Sequence, residues 1–142
     1  MMSANRNLSH TPPTNWLCYT AAGGDSAGKS NICYLSGFGN VDPGCVAGYI
    51  QDNGDNNQAV GHRRWLLYPQ TTTMASGDVS ESGIYGRANA IRVIEPATFS
   101  NPRPATRDGF VAWPPKGYVP YKTTYTRWSF AYPNAKGLSQ NK

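Results

Sequence analysis

The sequence predicts a small α+β protein built from short helices and short strands. Its 142 residues suit a single hydrophobic core. Glycine (15 residues) and proline (11 residues) are abundant, whereas charged residues make up only 15% of the chain, which favours turns and short elements over long solvated helices. Four tryptophans and nine tyrosines supply large surfaces that a core can bury. We therefore expect a globular, aromatic-rich chain with few helices.

Helical patterns occupy the first half of the chain. Residues 1–7 are good helix formers, and the helix must stop before Pro12 because proline disfavours helical backbone in the residue that precedes it. Apolar residues at helical spacing predict a second helix over residues 46–52. A polar turn then caps a third helix, predicted over residues 59–65. His10 therefore follows one helix end, and His62 lies on the third helix.

Loops separate these helices, and strands follow them. The Gly- and Ser-rich segment 16–31 and the segment 37–44 are predicted as loops. After Pro69, residues 74–79 and 88–94 have strand patterns joined by a connection that contains glycine and serine.

The C-terminal third has a different composition. Seven of the eleven prolines fall at or after Pro96, so residues 96–122 are predicted to form a rigid, extended linker. Residues 123–130 alternate polar with bulky side chains, as a strand does. We therefore divide the chain into a first domain over residues 1–95, the Pro-rich linker, and the start of a β-rich extension over residues 123–142.

The charge pattern argues against a nucleic-acid-binding protein. The formal net charge is +5, but the basic residues are scattered and no run is longer than Arg63-Arg64. A dedicated nucleic-acid face is therefore not expected, although weak affinity for anionic polymers fits the charge. No stretch approaches the roughly 18 apolar residues of a membrane-spanning helix, so no transmembrane segment is predicted.

The three cysteines, Cys18, Cys33 and Cys45, have no C-x-x-C spacing, which argues against a zinc ribbon or a redox pair. One disulfide and one remaining thiol are expected, and the sequence leaves all three pairings open. In a secreted chain, a Cys33–Cys45 bond would close a short loop.

The segment GGDSAGKS at residues 23–30 matches the phosphate-binding P-loop pattern. That mechanism needs a buried strand before the loop and a helix after it, so that backbone amides point at the phosphate. The flanking residues give neither element convincingly. We therefore predict a structural loop of small residues and no nucleotide hydrolysis.

The two histidines are the strongest candidates for a site. His10 lies on a turn stiffened by two prolines, and His62 follows Gly61, which leaves room for a ligand to approach. Two rigidly mounted imidazoles can share a metal ion or a water molecule. A closed zinc site normally needs three or four protein ligands, so a strong structural metal site is not expected.

Three motifs in order resemble bacterial members of the CAP superfamily, named after cysteine-rich secretory proteins, antigen 5 and pathogenesis-related plant proteins. They are LSHTPP at residues 8–13, AGKSN at residues 27–31 and VGHRRWLLYP at residues 60–69. The resemblance covers residues 1–95 and implies secretion and a three-layer α-β-α sandwich with a central cleft. The family's first helix has no counterpart, so we expect the domain to be incomplete at its N-terminus.

The resemblance also implies site residues. His10 and His62 match the two histidines of the family cleft and would hold zinc or another divalent metal. Asn31, Tyr49 and Asp52 would line the cleft, with Tyr49 in the family's aromatic role and Asp52 as the nearest candidate for an acidic group. The family's cleft glutamate is replaced by Lys29-Ser30, so metal binding should be weak, because a carboxylate supplies both a ligand and compensating charge.

These observations favour a secreted, non-enzymatic module that binds a lipid, a cell-wall glycan or a divalent metal in a two-histidine cleft. No Ser or Cys can be given a base and an orienting partner from the sequence, so triad chemistry has little support. Two alternatives remain: a metal-assisted extracellular hydrolase, and a structural surface or fibre component that self-associates through its C-terminal strands.

Overall fold

The computed structural model describes residues 1–36 and 44–133, and within them the chain is mixed α+β, as predicted. The described residues form four short helices: α1 (Met2–Asn5), α2 (Ala21–Gly28), α3 (Gly44–Gln51) and α4 (Gly61–Leu66). They also form five strands: β1 (Ser30–Leu35), β2 (Ala75–Val79), β3 (Arg87–Arg92), β4 (Val111–Trp113) and β5 (Ser129–Ala131). The loop predicted over residues 37–44 lies, except for Gly44, outside the described residues, as does the extension after residue 133.

Within the described residues, the larger sheet is antiparallel and has three strands in the order β1-β3-β2. Asn31 of β1 lies opposite Ile91 of β3, and Cys33 lies opposite Asn89. Because side chains alternate across a strand, these residues share one face of the sheet. Ile32 belongs to the opposite face.

A hydrophobic cluster lies on each face of this sheet. On the Asn31 face, the buried residues belong to α3 and β3 or follow β3: Cys45, Tyr49, Ile91 and Val93, with Trp65 and Leu66 of α4 packed against them. On the opposite face, Met2 of α1 packs with Ile32 and Ala88, and Trp16 covers them. Helices α3 and α4 therefore share the Asn31 face, and α1 covers the other.

One disulfide reinforces the link between β1 and α3. Cys33 and Cys45 are bonded, with their Cα atoms 5.8 Å apart, and Cys18 is an exposed free thiol. This is one of the three pairings that the sequence left open.

The prediction of a loop over residues 16–31 was wrong in its central part, because residues 21–28 form helix α2. The Thr20 hydroxyl caps the helix by accepting a hydrogen bond from the Gly23 amide at 3.0 Å. Gly24 lies close to Tyr19, and a Cβ atom there would lie 2.9 Å from the Tyr19 hydroxyl oxygen, so a larger residue would displace the tyrosine side chain. The glycines that suggested a loop thus fit a helix packed closely against its neighbours.

Strand β1 was also missed. Its burial does not alternate, since Ser30, Asn31 and Ile32 are all buried. A strand covered on both faces lacks the period-2 pattern that identifies half-exposed strands. The strand follows α2 directly, so the prediction of a loop there concealed it.

The predicted linker is more structured than its prolines suggest. Val111 and Trp113 of β4 pair with Ala131 and Ser129 of β5. The strand predicted over residues 123–130 begins at the last residue of a 3-10 helix (Tyr121–Thr123), and only its end belongs to a strand, Ser129–Ala131. These two strands lie far apart in sequence, so neither alone signals its partner. The domain boundaries at residues 95 and 122 stay predictions.

Candidate functional site

His10 is held by the end of helix α2. Its Nδ1 atom lies 2.8 Å from the carbonyl oxygen of Ala27. The last carbonyls of a helix have no partner within the helix, so this oxygen is available to accept. A carbonyl can only accept, so Nδ1 carries the proton and Nε2 keeps a lone pair. His10 itself is exposed.

His62 is held by a buried carboxylate. Its Nδ1 atom lies 2.8 Å from Oδ1 of Asp52, whose side chain is fully buried. The second carboxylate oxygen of Asp52 accepts a hydrogen bond from the Arg63 amide at 3.3 Å. The carboxylate therefore fixes the Nδ1–H tautomer of His62 and leaves Nε2 with the lone pair, as in histidines that bind metals.

Two predicted cleft residues support His62 from inside the protein. The Tyr49 ring stacks on the imidazole, with centroids 5.5 Å apart and an interplanar angle of 22°. Its hydroxyl donates to Asn89 Oδ1 at 2.9 Å, and burial raises the Tyr49 pKa above the usual range, so the group remains a neutral donor. Asn31 donates from Nδ2 to the carbonyl oxygen of His62 at 2.9 Å.

Both histidines line one cavity of about 360 Å³. Its other walls come from the end of α2, the start of β1, the loop before α4, α4 itself and the chain after β3: Gly28, Lys29, Ser30, Asn31, Asn56, Asn57, Ala59, Gly61, Trp65, Val93 and Ile94. Of the predicted cleft residues, Asn31 lines the cavity, whereas Tyr49 and Asp52 lie behind His62. We call this cavity the two-histidine cleft.

The charge at the cleft rim is set by a cluster of ion pairs. Lys29 lies 2.6 Å from Asp25, and Arg92 bridges Asp25 at 3.0 Å and Glu95 at 2.7 Å. Hydrogen bonds from Lys29 and then Arg92 lower the Asp25 pKa. Among the described residues that line the cleft there is no Asp or Glu, and Lys29 places a paired ammonium at its wall.

The same contacts speak against a phosphate-binding loop at residues 23–30. Most of this segment is helical, Lys29 pairs with Asp25 of the same motif, and the Ser30 hydroxyl donates to the carbonyl of Ser26 at 2.7 Å. The groups that would hold a phosphate and a magnesium ion are thus engaged within the protein.

Arg63, which the sequence did not single out as a site residue, connects this site to Arg127 in the C-terminal extension. Arg63 is completely buried, and its guanidinium donates to the carbonyl oxygens of Ile50, Gln51 and Arg127. Burial lowers the Arg63 pKa, and the Asp52 charge opposes that effect. In the sequence, Arg63 is visible only as part of a basic dipeptide beside His62. That pattern does not indicate a hydrogen bond to a residue 64 positions away.

A second cavity of about 390 Å³ is mainly apolar. It is lined by residues of α4, β4, β5 and the segments between them, among them Trp65, Leu67, Phe99, Val111 and Phe130. Trp65 contributes to the walls of both cavities.

No helix within residues 1–36 and 44–133 combines the length and the apolar character needed to cross a bilayer. Comparison of the chain with protein-family models, curated proteins and solved structures gives no match.

Proposed function

We propose that this chain is a secreted, CAP-like binding module whose two-histidine cleft takes a divalent metal ion such as zinc, together with a polar ligand. The observation that carries the proposal is that both imidazoles are hydrogen-bonded through the same ring nitrogen and line the same cavity. Both His10 and His62 are bonded through Nδ1 and both line one cavity. Nε2 of each ring is thus the basic nitrogen available to a metal.

The donor set fits a weak and open site. Among the described residues, no group of three His, Cys, Asp or Glu side chains forms a metal cluster. An ion bound by two imidazole nitrogens would complete its shell with water or with ligand oxygens. The paired Lys29 at the rim adds no negative charge that would favour a cation.

The polar walls of the cleft favour a hydroxyl-rich ligand such as a cell-wall glycan over a lipid. Asn31, Asn56 and Asn57 place amide groups along the cavity, and such groups orient polar ligands by hydrogen bonds. A lipid would suit the apolar cavity beside α4 better than the cleft.

Three observations support secretion and the resemblance to the CAP family: the disulfide, the positions of the helices and the histidine motifs. The Cys33–Cys45 disulfide is typical of oxidising compartments. Helix α1 packs on one face of the β1-β3-β2 sheet, and helices α3 and α4 pack on the other. This arrangement supports a three-layer sandwich. The ordered histidine motifs support the CAP resemblance.

A metal titration of purified protein tests this proposal. We expect zinc or cobalt to bind the wild type and the affinity to fall by roughly 100-fold or more in His10→Ala and in His62→Ala, because loss of a ligand costs at least as much as loss of its supporting group. The exposed Ser80→Ala variant is the control. Equal affinity in the wild type and either histidine variant would overturn the shared site.

One observation favours a metal-assisted hydrolase as the second candidate. The Asp52–His62 pair has the geometry in which a carboxylate orients an imidazole as a ligand of a catalytic metal ion. The cleft's Ser30 is not placed as a nucleophile, since its hydroxyl donates to Ser26, so a metal-bound water would have to attack. Zinc-dependent turnover of peptide or peptidoglycan substrates that is lost in His62→Ala would favour this candidate.

Exposed aromatic side chains favour self-association as a third candidate. Trp128, Phe130 and Tyr132 lie in or beside β5 and are 70%, 53% and 46% exposed. The small β4–β5 sheet could add a strand from a second molecule. A sedimentation coefficient that stays monomeric as concentration rises would count against this role.

A further inference from the structure

The side chain of Arg127 holds the loop that carries Asp52. Its Nη1 atom donates to three backbone carbonyl oxygens, those of Asp52 at 2.7 Å, Asn57 at 2.9 Å and Gly54 at 3.1 Å. All three belong to residues 52–57, which connect α3 to the chain before α4. Hydrogen bonds from a charged donor are stronger than neutral ones, so this contact defines the path of the loop.

Arg63 makes the reciprocal connection. From α4, its guanidinium donates to the carbonyl of Arg127 at 2.8 Å and to the Ser129 hydroxyl at 3.1 Å, and also to carbonyls at the end of α3. The backbone of Arg127 is thus fixed by the element that bears His62, while its side chain fixes the loop that bears Asp52. The two arginines lock together the two halves of the Asp52–His62 pair.

The loop begins at a residue with an uncommon backbone conformation. Asp52 has a φ of 49°, in the left-handed region that is uncommon for residues other than glycine, although aspartate enters it more readily than most. Residues in this region persist only where the surrounding contacts hold them. The hydrogen bond from the Arg127 side chain to the carbonyl oxygen of Asp52 is one of these contacts.

We propose that Arg127, which comes from the C-terminal extension, is a positioning residue of the two-histidine cleft. By holding residues 52–57 it keeps the Asp52 carboxylate against Nδ1 of His62, and so keeps Nε2 of His62 available in the cleft. The cleft therefore needs residues from outside the region that resembles the CAP family. Only the consequence for metal binding rests on the proposed function.

The tautomers of the two histidines give a direct test. Long-range ¹H–¹⁵N NMR spectra of the metal-free protein, recorded where both rings are neutral, distinguish Nδ1–H from Nε2–H rings. In Arg127→Ala we expect the Nδ1–H fraction of His62 to fall while that of His10 stays unchanged, because His10 is held by Ala27 and not by the loop. His10 is thus an internal control for general loosening of the fold.

Matched variants separate positioning from simple loss of charge. Arg107→Ala removes an exposed arginine of the preceding Pro-rich linker, whose contacts are with Asp108 and Lys116, and it should leave both tautomers unchanged. Arg127→Lys should restore part of the His62 signal, because one ammonium group can donate to several carbonyls. If Arg127→Ala does not fold, the milder Arg127→Gln variant, measured at low temperature, replaces it.

Zinc titration of the same variants completes the experiment. We expect the dissociation constant to rise by roughly tenfold or more in Arg127→Ala, in the range seen when a group that orients a metal ligand is removed. An unchanged His62 tautomer in a folded Arg127→Ala or Arg127→Gln variant would overturn the proposal, whatever the zinc affinity. A changed tautomer with no zinc binding even in the wild type would support the positioning role and refute the metal site.

Discussion

His10 and His62 line one cleft and are both hydrogen-bonded through Nδ1, but they are held by different means. His10 bonds to a backbone carbonyl at the end of α2 and lies on a turn that two prolines stiffen. His62 bonds to the side chain of Asp52, which is buried and whose loop is held in turn by Arg127. One imidazole therefore depends mainly on nearby segments of the chain, and the other depends on residues as distant as Arg127, 65 positions further along the chain.

This difference has a functional consequence. A backbone carbonyl cannot be changed by a single substitution, so the orientation of His10 should tolerate mutation well. The orientation of His62 depends on several replaceable side chains and should be easy to disturb. Variants that act on one side of the cleft alone therefore test whether the two histidines work as one site.

Among variants that leave both histidines in place, the largest effect is expected from Asp52→Asn, which acts on the His62 side. The amide keeps the shape of the carboxylate but removes the charge that raises the basicity of His62 as a ligand. We expect zinc affinity to fall by about 10- to 100-fold, as measured by isothermal titration calorimetry. Asp55→Asn changes an exposed residue of the same loop and serves as the control. A fall of less than twofold in folded Asp52→Asn would argue that His62 needs no orienting group.

An effect of intermediate size is expected from Lys29→Glu, which acts on the rim near His10. The substitution places a carboxylate where the resemblance puts the family's glutamate, and a third ligand should tighten zinc binding by about tenfold. Lys29→Gln removes the positive charge without adding a ligand, so a comparison of the two dissociation constants separates the two causes. If both variants bind zinc equally well, the carboxylate does not reach the metal.

The smallest effect is expected from Asp25→Asn, which removes the ion pairs beside Lys29. The folded-state pKa of Asp25 is depressed below the reference value of 3.8, mainly by the hydrogen bond from Lys29. Its contribution to stability is therefore complete above the unfolded-state pKa and disappears as the pH falls through the folded-state pKa. At pH 7 the variant should melt no more than about 3 °C below the wild type, because exposed ion pairs are weak.

Thermal melts of both proteins across the acid range check this expectation. The difference in melting temperature should stay constant at neutral pH and shrink below about pH 4. A difference that instead grows on acidification would contradict the sign of the shift. High salt should reduce the difference in the same way, because ions screen exposed charges.

Local sequence features predicted much of the local structure. Prolines after the first helix, helical spacing before Asp52 and the polar turn before α4 are short-range signals, and helices α1, α3 and α4 follow from them. The same signals failed at α2, where glycines, among them Gly24 beside Tyr19, resembled a loop. They also failed at β1, because a strand buried on both faces has no alternation to detect.

The sequence by itself determined the α+β character of the chain, the turn that carries His10 and the helix that carries His62, because these depend on residues close together in the chain. Only the tertiary structure decided which side chains hold those imidazoles. Three contacts join segments that are distant in the chain: the Cys33–Cys45 disulfide, the hydrogen bond between Asp52 and His62, and the hydrogen bonds from Arg127 to residues 52–57. Their free energies depend on packing and on desolvation, which exist only once the chain has folded.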